Sequence, residues 1–215
     1  MTVGTLIAAL VLVAIVQLRP PAWWRAVGAD SKSSVVDADR GERFEQACVS
    51  EIYRIRPDAE PWAVRIREED VNAWLATRLA AWCDHVGIAP IGDVQVRFSD
   101  GRAEVGAATT GLPAIAVITI MPSVEGEWLQ PNLGTLHLGR LPVPFLTRST
   151  LASAIESLGA DAGDDLRAVL LPVLRGEGVA TTFELADRRR VRLRDIELLD
   201  GELRMELETL GAARR

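Results

Sequence analysis

Hydrophobic and polar residues alternate in two stretches of the chain, and each stretch is interrupted by an Asp-Gly pair, Asp100-Gly101 and Asp200-Gly201. An Asp-Gly pair between alternating runs is the strongest short-range signal for a β-hairpin. With a two-residue loop, both hairpins place apolar residues opposite apolar residues and opposite charges across from each other. The paired residues are Phe98 with Ala103, Arg97 with Glu104 and Val96 with Val105, and then Leu198 with Leu203, Glu197 with Arg204 and Ile196 with Met205. The two registers predict an antiparallel sheet.

The alternation changes phase once within the second hairpin. Val191 and Leu193 fall on odd positions, whereas Ile196 and Leu198 fall on even positions. An extra residue in this strand would bring all four side chains to the same face. We therefore expect a β-bulge near residues 194–195.

A third hairpin is expected between these two, from Ala114 to Leu138 with a turn at Gly126. Its first strand, which contains Ile118 and Ile120, is apolar on both faces. Strands of this kind are covered on both sides. One face can meet the domain core, and the other must meet a helix, a partner or a hydrophobic ligand.

Helical periodicity is found in four segments. Helix A is expected from Arg40 to Ile55 and helix B from Glu68 to Cys83, with a short strand at 62–66 between them. The apolar stripe of helix B consists of Val71, Trp74, Leu75, Leu79 and Trp82. Helices C and D follow the third hairpin, and their apolar residues are Leu151, Ala154, Ile155 and Leu158, then Leu166, Val169, Leu170, Val173 and Leu174. This order of elements predicts an α+β fold, with a long antiparallel sheet packed against amphipathic helices.

The N-terminus differs from the rest of the chain, because Val3 to Leu18 contains no charge and is mostly aliphatic. The run is followed by Arg19-Pro20-Pro21 and then by Trp23 and Trp24. An apolar helix that ends at prolines, beside tryptophan and arginine, is typical of a single-pass membrane anchor. The expected organisation is a transmembrane anchor at 1–22, an interfacial segment and linker at 23–41, and one domain at 42–215. A cleaved signal peptide is the alternative.

Composition and motifs exclude several classes of function. The net charge of −6 argues against a nucleic-acid partner. The chain has no glycine-rich phosphate loop and no G-x-S-x-G motif, and its only lysine, Lys32, lies in the expected linker. His85 and His137 have no further ligand at metal-binding spacing. We therefore expect no catalytic residue, no cofactor and no metal site, and we do not expect an enzyme.

The two cysteines, Cys48 and Cys83, fall on helices A and B. In an oxidising compartment a disulfide could join the two helices. Two buried thiols are the alternative. The sequence favours neither.

Two short motifs resemble those of bacterial single-pass envelope proteins of the YpmS-like type. One is the E-x-x-x-N-x-x-L pattern formed by Glu68, Asn72 and Leu75, and the other is the G-x-L-P-x-P step from Gly139 to Pro144. The resemblance implies an extracytoplasmic domain at the bacterial cell membrane, with a long curved sheet around a helix, comparable to tubular lipid-binding domains. It implies no catalytic residues. The basic residues after the apolar run point to the opposite side of the membrane, so the orientation stays open.

Two hypotheses for the function follow from these patterns. In the first, a membrane-anchored, non-catalytic protein binds a lipid or another hydrophobic ligand in a groove between the sheet and a helix. The candidate ligand-binding residues are Trp74, Ile118, Ile120 and Ile155. In the second, the protein is a structural or interaction protein of the cell envelope, and its partners are the membrane, through its own anchor, and another envelope protein.

Overall fold

The computed structural model describes residues 18–25, 31–56, 60–85, 92–108, 114–143, 171–173 and 175–212. Its two long helices are α1 Ser31–Tyr53 and α2 Glu68–His85. Eight strands precede residue 143: β1 Pro61–Arg67, β2 Val94–Ser99, β3 Arg102–Ala108, β4 Ile115–Ile120, β5 Ser123–Glu125, β6 Trp128–Gln130, β7 Leu133–Leu138 and β8 Leu141–Pro142. Four strands follow residue 178: β9 Val179–Ala180, β10 Thr182–Glu184, β11 Arg189–Leu199 and β12 Glu202–Ala212.

Within these residues the strands form three antiparallel sheets. The four-stranded sheet has the order β1-β12-β11-β10, the five-stranded sheet has the order β2-β3-β4-β7-β8, and the small sheet has the order β5-β6-β9. The expected fold class, with one long sheet and an N-terminal transmembrane helix, is therefore wrong, and the described residues contain more strand (46%) than helix (29%). The third hairpin explains the division. The strands at the base of this hairpin, β4 and β7, pair in the five-stranded sheet. The strands next to its turn at Gly126, β5 and β6, pair with each other, and β6 also pairs with β9.

The two Asp-Gly hairpins are confirmed with the predicted registers. In the first, Phe98 pairs with Ala103 and Val96 with Val105. In the second, all three predicted pairs are present, and the register shifts between Leu193 and Asp195. The predicted bulge is therefore confirmed as well, and it brings the apolar side chains of β11 to one face. Both turn glycines, Gly101 and Gly201, have positive φ angles of 70° and 74°, a conformation that glycine adopts without steric cost.

The two hairpin turns meet at the start of α2. The Gly101 N–H donates to the Leu198 carbonyl at 2.9 Å, and the Gly201 N–H donates to the Phe98 carbonyl at 3.2 Å. The Glu68 N–H, at the first residue of the helix, donates to the Gly201 carbonyl at 2.9 Å. This junction holds the four-stranded and five-stranded sheets together and fixes where α2 begins.

The main apolar cluster lies on one face of the four-stranded sheet. Its buried members are Val64, Leu185, Val191, Leu193 and Leu207. Half-buried side chains from α1, from the small sheet and from the same strands pack against them: Ile52, Trp62, Ile66, Val124, Leu129 and Met205. The opposite face of this sheet carries the charged residues of β1, β11 and β12, as the alternation of side chains along a strand requires.

Helix α1 begins at Ser31, earlier than predicted. Residues 31–41, which the sequence assigned to a linker, are therefore helical. Gly41 lies at the contact with α2, where an added Cβ would be 2.7 Å from the Thr77 Oγ1 and 3.1 Å from the Ala73 carbonyl. Only glycine allows the helices to approach this closely. The C-terminal end of α1 is capped by Arg189, whose guanidinium donates to the carbonyls of Tyr53 and Arg54 at 2.9 and 2.8 Å.

Helix B is confirmed as α2, but its predicted apolar stripe is not its most buried side. Ala73 and Cys83 are the buried residues of the helix, whereas Trp82 is 38% exposed. Helix C and most of helix D lie outside the described residues, and the described part of helix D, 171–173, is helical.

The predicted single-pass membrane anchor is contradicted. No helix within the described ranges is both long enough and apolar enough to cross a bilayer, and the membrane localisation expected from such a helix is corrected with it. Residues 1–17 of the predicted anchor lie outside the described residues. Residues 18–25 form turns, and Trp23 and Trp24, which the sequence assigned to the headgroup region, pack on strand β3 instead.

The contact of the two tryptophans with β3 depends on Gly106. A Cβ on this residue would lie 2.9 Å from the Trp23 Cη2 and 3.0 Å from the Trp24 Cζ3. The neighbouring Gln95, which is buried, accepts a hydrogen bond from the Arg25 N–H at 3.0 Å and donates another to the Arg25 carbonyl. The segment is thus docked on one face of the five-stranded sheet through its rings and its backbone.

Candidate functional site

A groove of about 610 Å³ lies between helix α1 and strand β1, within the size range of ligand sites in proteins. We call it the β1 groove. Helix α1 lines it with Arg40, Arg43, Phe44, Ala47, Cys48 and Glu51. Strand β1 contributes Ala63, Val64, Arg65 and Arg67, and the first turn of α2 contributes Glu69 and Asp70.

Strand β1 presents an unpaired backbone edge to this groove. It pairs with β12 on one side only. The Glu68 N–H donates to the Gly201 carbonyl, and these two residues continue the register of the β1–β12 pairing. Because hydrogen-bonded positions alternate along an antiparallel strand, the N–H and C=O groups of the even-numbered residues of β1 point to β12. Those of Ala63, Arg65 and Arg67 point away from it. Among the described residues nothing forms a hydrogen bond with these outward groups. They are the strand groups that line the groove.

The side chains of the groove form a mixed charge pattern. Arg40 bonds to Glu69 at 3.0 Å and lies 3.7 Å from Asp70, so the two carboxylates of α2 already have a partner. Arg43 is paired outside the groove with Asp39 at 2.6 Å. Arg67 forms no ion pair within the described part of the chain. The β1 side of the groove therefore carries positive charge that is not neutralised within the groove.

Arg65 has an unfavourable neighbour in its own sheet. It lies directly opposite Arg204 of β12, and like charges in this position destabilise a sheet. Its nearest carboxylate is that of Glu202, 3.9 Å away, and the Arg65 side chain is 67% exposed. The other side of Arg65 faces the open edge, where no strand supplies a counter-charge.

Cys48 places a thiol on the wall of the groove. Burial raises the pKa of this thiol above its ordinary value, and the negative charge of Asp70 raises it further. A thiol with a raised pKa is a poor nucleophile at neutral pH, because the thiolate is the reactive form. The thiolate fraction of Cys48 at neutral pH is therefore smaller than that of an ordinary cysteine.

The two cysteines are free thiols in the structure. Cys48 lies close enough to the first turn of α2 for the charge of Asp70 to act on it, whereas Cys83 lies in the last turn of that helix. At 1.5 Å per residue these two points of α2 are about 20 Å apart, and a disulfide needs a Cα separation of about 4.4–6.8 Å. The spacing explains why no bridge joins them.

The structure describes three of the four predicted ligand-binding residues, Trp74, Ile118 and Ile120. Trp74 lies on α2, and its Nε1 donates to the Glu45 carboxylate at 3.3 Å. Ile118 and Ile120 lie on β4, half-buried, and share a sheet face with Val105 and Ala103 of β3. Ile155 lies outside the described residues.

The histidines are also apart. His85 ends α2 and is exposed, whereas His137 lies on β7 opposite Val117. In the parts of the chain that the structure describes, no three histidine, cysteine or carboxylate side chains are placed to hold a metal ion.

The sequence interpretation missed the residues of the β1 groove. One available signal was the alternation of Ala63, Arg65 and Arg67 with buried or half-buried residues in a strand that starts at a proline. Proline at the first position and exposed arginine are typical of an edge strand. The wall formed by α1 could not be found in this way, because it depends on how the helix packs across the strand.

Comparisons with family models, with curated proteins and with solved structures return no match for this chain. The resemblance to YpmS-like proteins therefore stays a prediction.

Proposed function

We propose that this protein is a non-catalytic binding module that holds an extended polypeptide segment in the β1 groove. The segment adds as a further strand to the outer edge of β1. The observation that carries the proposal is the unpaired edge formed by Ala63, Arg65 and Arg67, which faces a groove of ligand size. Main-chain hydrogen bonds supply the affinity in this mode of recognition, and pockets for alternate side chains supply the specificity.

The edge can be tested with a substitution that changes one backbone donor. The Ala63 N–H points away from β12, so Ala63→Pro removes an outward donor and leaves the pairing of β1 with β12 intact. Proline is tolerated in edge strands when its nitrogen faces away from the sheet. Ala63→Val is the matched control, because it keeps the N–H and the strand propensity.

The experiment begins with selection of binders from a random heptapeptide library on the immobilised full-length chain. Selected peptides are then labelled, and their affinities for the wild type and both variants are measured by fluorescence anisotropy. We expect Ala63→Pro to weaken binding about tenfold, the equivalent of one lost hydrogen bond of ~1.4 kcal/mol, and Ala63→Val to bind as the wild type does. A library without binders, or binders that ignore Ala63→Pro, would overturn the proposal.

A hydrophobic ligand on the five-stranded sheet is the second candidate. The observation that favours it is a half-buried apolar row, formed by Ala116, Ile118 and Ile120 of β4 with Leu136 and Leu138 of β7. Native mass spectrometry of the protein as purified provides the test. A co-purified lipid that Ile118→Asp removes, while the domain stays folded, would support this candidate, and a single apo mass would eliminate it.

A further inference from the structure

We infer that the segment bound in the β1 groove is acidic, with carboxylate side chains alternating with small apolar ones. The inference rests on the proposed function and adds the chemistry of the partner. It follows from the two different surfaces that an added strand would meet on its two faces.

One face of the added strand continues the outer, charged face of the four-stranded sheet. Its side chains would lie beside Arg65 and Arg67, which have exposed side chains. Arg65 lies opposite Arg204 of β12 and 3.9 Å from the Glu202 carboxylate. Arg67 lies directly opposite the same Glu202 and forms no ion pair among the described residues. A further carboxylate next to Arg65 would add a second counter-charge for the two arginines of β1, since cross-strand pairs of opposite charge are stabilising.

The other face of the added strand turns toward helix α1. There the groove offers Phe44, Ala47 and Cys48, of which Phe44 and Cys48 are half-buried. The charged residues of this wall, Arg40, Arg43 and Glu51, already have ion-pair partners. A charged side chain on this face would therefore lose water and compete with those pairs. Because successive side chains of a strand point to opposite faces, the complementary segment alternates acidic and apolar residues.

The β1 strand of a second copy of this chain does not meet these requirements. The charged residues of β1 are Arg65 and Arg67, so pairing of two β1 strands would bring arginines together without any carboxylate. Like charges across a strand pair are destabilising. A β1–β1 dimer is therefore disfavoured, and the occupant that we infer is an acidic segment of another protein.

Three labelled heptapeptides of the same length as β1 (7 residues) test the inference on the full-length chain. They alternate valine with glutamate, with lysine or with threonine, and binding is measured by fluorescence anisotropy. We expect the glutamate peptide to bind about tenfold more tightly than the threonine peptide, with the preference reduced at high salt. We expect no binding of the lysine peptide.

Charge reversal at the edge provides the second measurement. Arg65→Glu should reverse the order of the glutamate and lysine peptides. It places a carboxylate opposite Arg204 and removes only the exposed ion pair with Glu202. Arg194→Glu is the matched control, because it changes the net charge equally, and Arg194, on β11, lies outside the groove lining. The control should leave the order unchanged.

The outcomes separate this inference from the proposal beneath it. Equal binding of all three peptides that is lost in Ala63→Pro would keep the strand site and overturn the acidic preference. Failure of every peptide to bind would overturn both. Dimers in sedimentation that disappear in Ala63→Pro would identify a second copy as the occupant and would also overturn the inference.

Discussion

Strands β1 and β2 are both edge strands, but their outer edges have different surroundings. On β2, the Val96 N–H donates to the Asn72 side chain and the Val96 carbonyl accepts from it, both at 2.8 Å. The Phe98 N–H donates to the Glu68 carboxylate at 2.7 Å. On β1, nothing within the described residues bonds to the outward groups. One edge is sealed by side chains, and the other is open toward a groove.

Helix α2 creates both situations. It starts at Glu68, immediately after β1 ends at Arg67, and Glu68 and Asn72 are four residues apart, on one face of the helix. That face is turned to β2, so its polar side chains satisfy the β2 edge and leave β1 uncovered. An exposed edge tends to pair with other chains, and proteins protect such edges with proline and charge. Pro61, Arg65 and Arg67 provide this protection without closing the edge, which restricts the strands that can be added.

The largest expected effect comes from placing the same residue on both edges. Val96→Pro removes a donor that is bonded to Asn72 and leaves the side-chain oxygen of Asn72 without its partner. We expect the free energy of unfolding to fall by about 2–3 kcal/mol. Ala63→Pro removes a donor that has no partner, and we expect a change within about 0.5 kcal/mol. Urea unfolding of both variants measures the difference.

A control is needed because proline also replaces the branched side chain at position 96 by a ring. Val96→Ala removes both γ-methyl groups and keeps the N–H, so it should cost less than Val96→Pro. Equal costs for Ala63→Pro and Val96→Pro would mean that the two edges are equivalent, and the comparison would then fail.

The second prediction concerns the side chain that seals β2. Asn72→Ala leaves both the N–H and the carbonyl of Val96 without a bond, and these groups are partly buried. We expect a loss of about 1–2 kcal/mol, measured by thermal or urea unfolding. Glu69→Ala is the matched control on the same turn, since it removes only an exposed ion pair with Arg40 and should cost less than about 0.5 kcal/mol. An unchanged free energy of unfolding in Asn72→Ala would show that water replaces the two hydrogen bonds of Asn72 with Val96.

The hairpins could be predicted from sequence because their information is local. The Asp-Gly turns set the loop length, and the alternation of apolar residues then leaves one register at each turn. The bulge near residues 194–195 was predicted from the shift of apolar residues from odd to even positions along the same strand. These features need only residues that are close along the chain.

The roles of Glu68 and Asn72 could be seen only in the structure. The sequence showed a motif, E-x-x-x-N-x-x-L, whose members share a helix face, but the strand they meet begins more than twenty residues later, at Val94. Its position depends on the junction of the two hairpin turns. The β1 groove could not be predicted for the same reason, because it forms only where α1 packs across an edge strand.

The tryptophan pair shows how a composition signal can mislead. Trp23 and Trp24 beside an apolar run are typical of a membrane interface, but the sequence does not show that Gly106 leaves room for their rings on β3.

The third prediction follows from the contact of Trp23 and Trp24 with Gly106. Gly106→Ala should reduce stability by about 1 kcal/mol and shift tryptophan emission to longer wavelength as the rings are exposed. Ala107→Ser, on the opposite face of β3, is the control. Gly126→Ala would be a poor control, because the positive φ of 64° at Gly126 would strain the backbone.

The smallest expected effect concerns the Cys48 thiol, which reports on the open edge. Burial, and secondly the charge of Asp70, raise its pKa, so its thiolate forms only at a pH above the range in which an ordinary cysteine ionises. Alkylation by iodoacetamide should therefore be slower than that of a free cysteine peptide at neutral pH, and its rate should rise at higher pH. Asp70→Asn removes the second cause and should move the profile slightly to lower pH. Cys83, with 0% exposure, should stay unmodified in the folded protein and serves as the internal control.

If the segment added to β1 lies against α1, the valine–glutamate peptide will slow the alkylation of Cys48 in the wild type and not in Ala63→Pro. Equal slowing in both proteins would place the bound peptide away from the β1 edge.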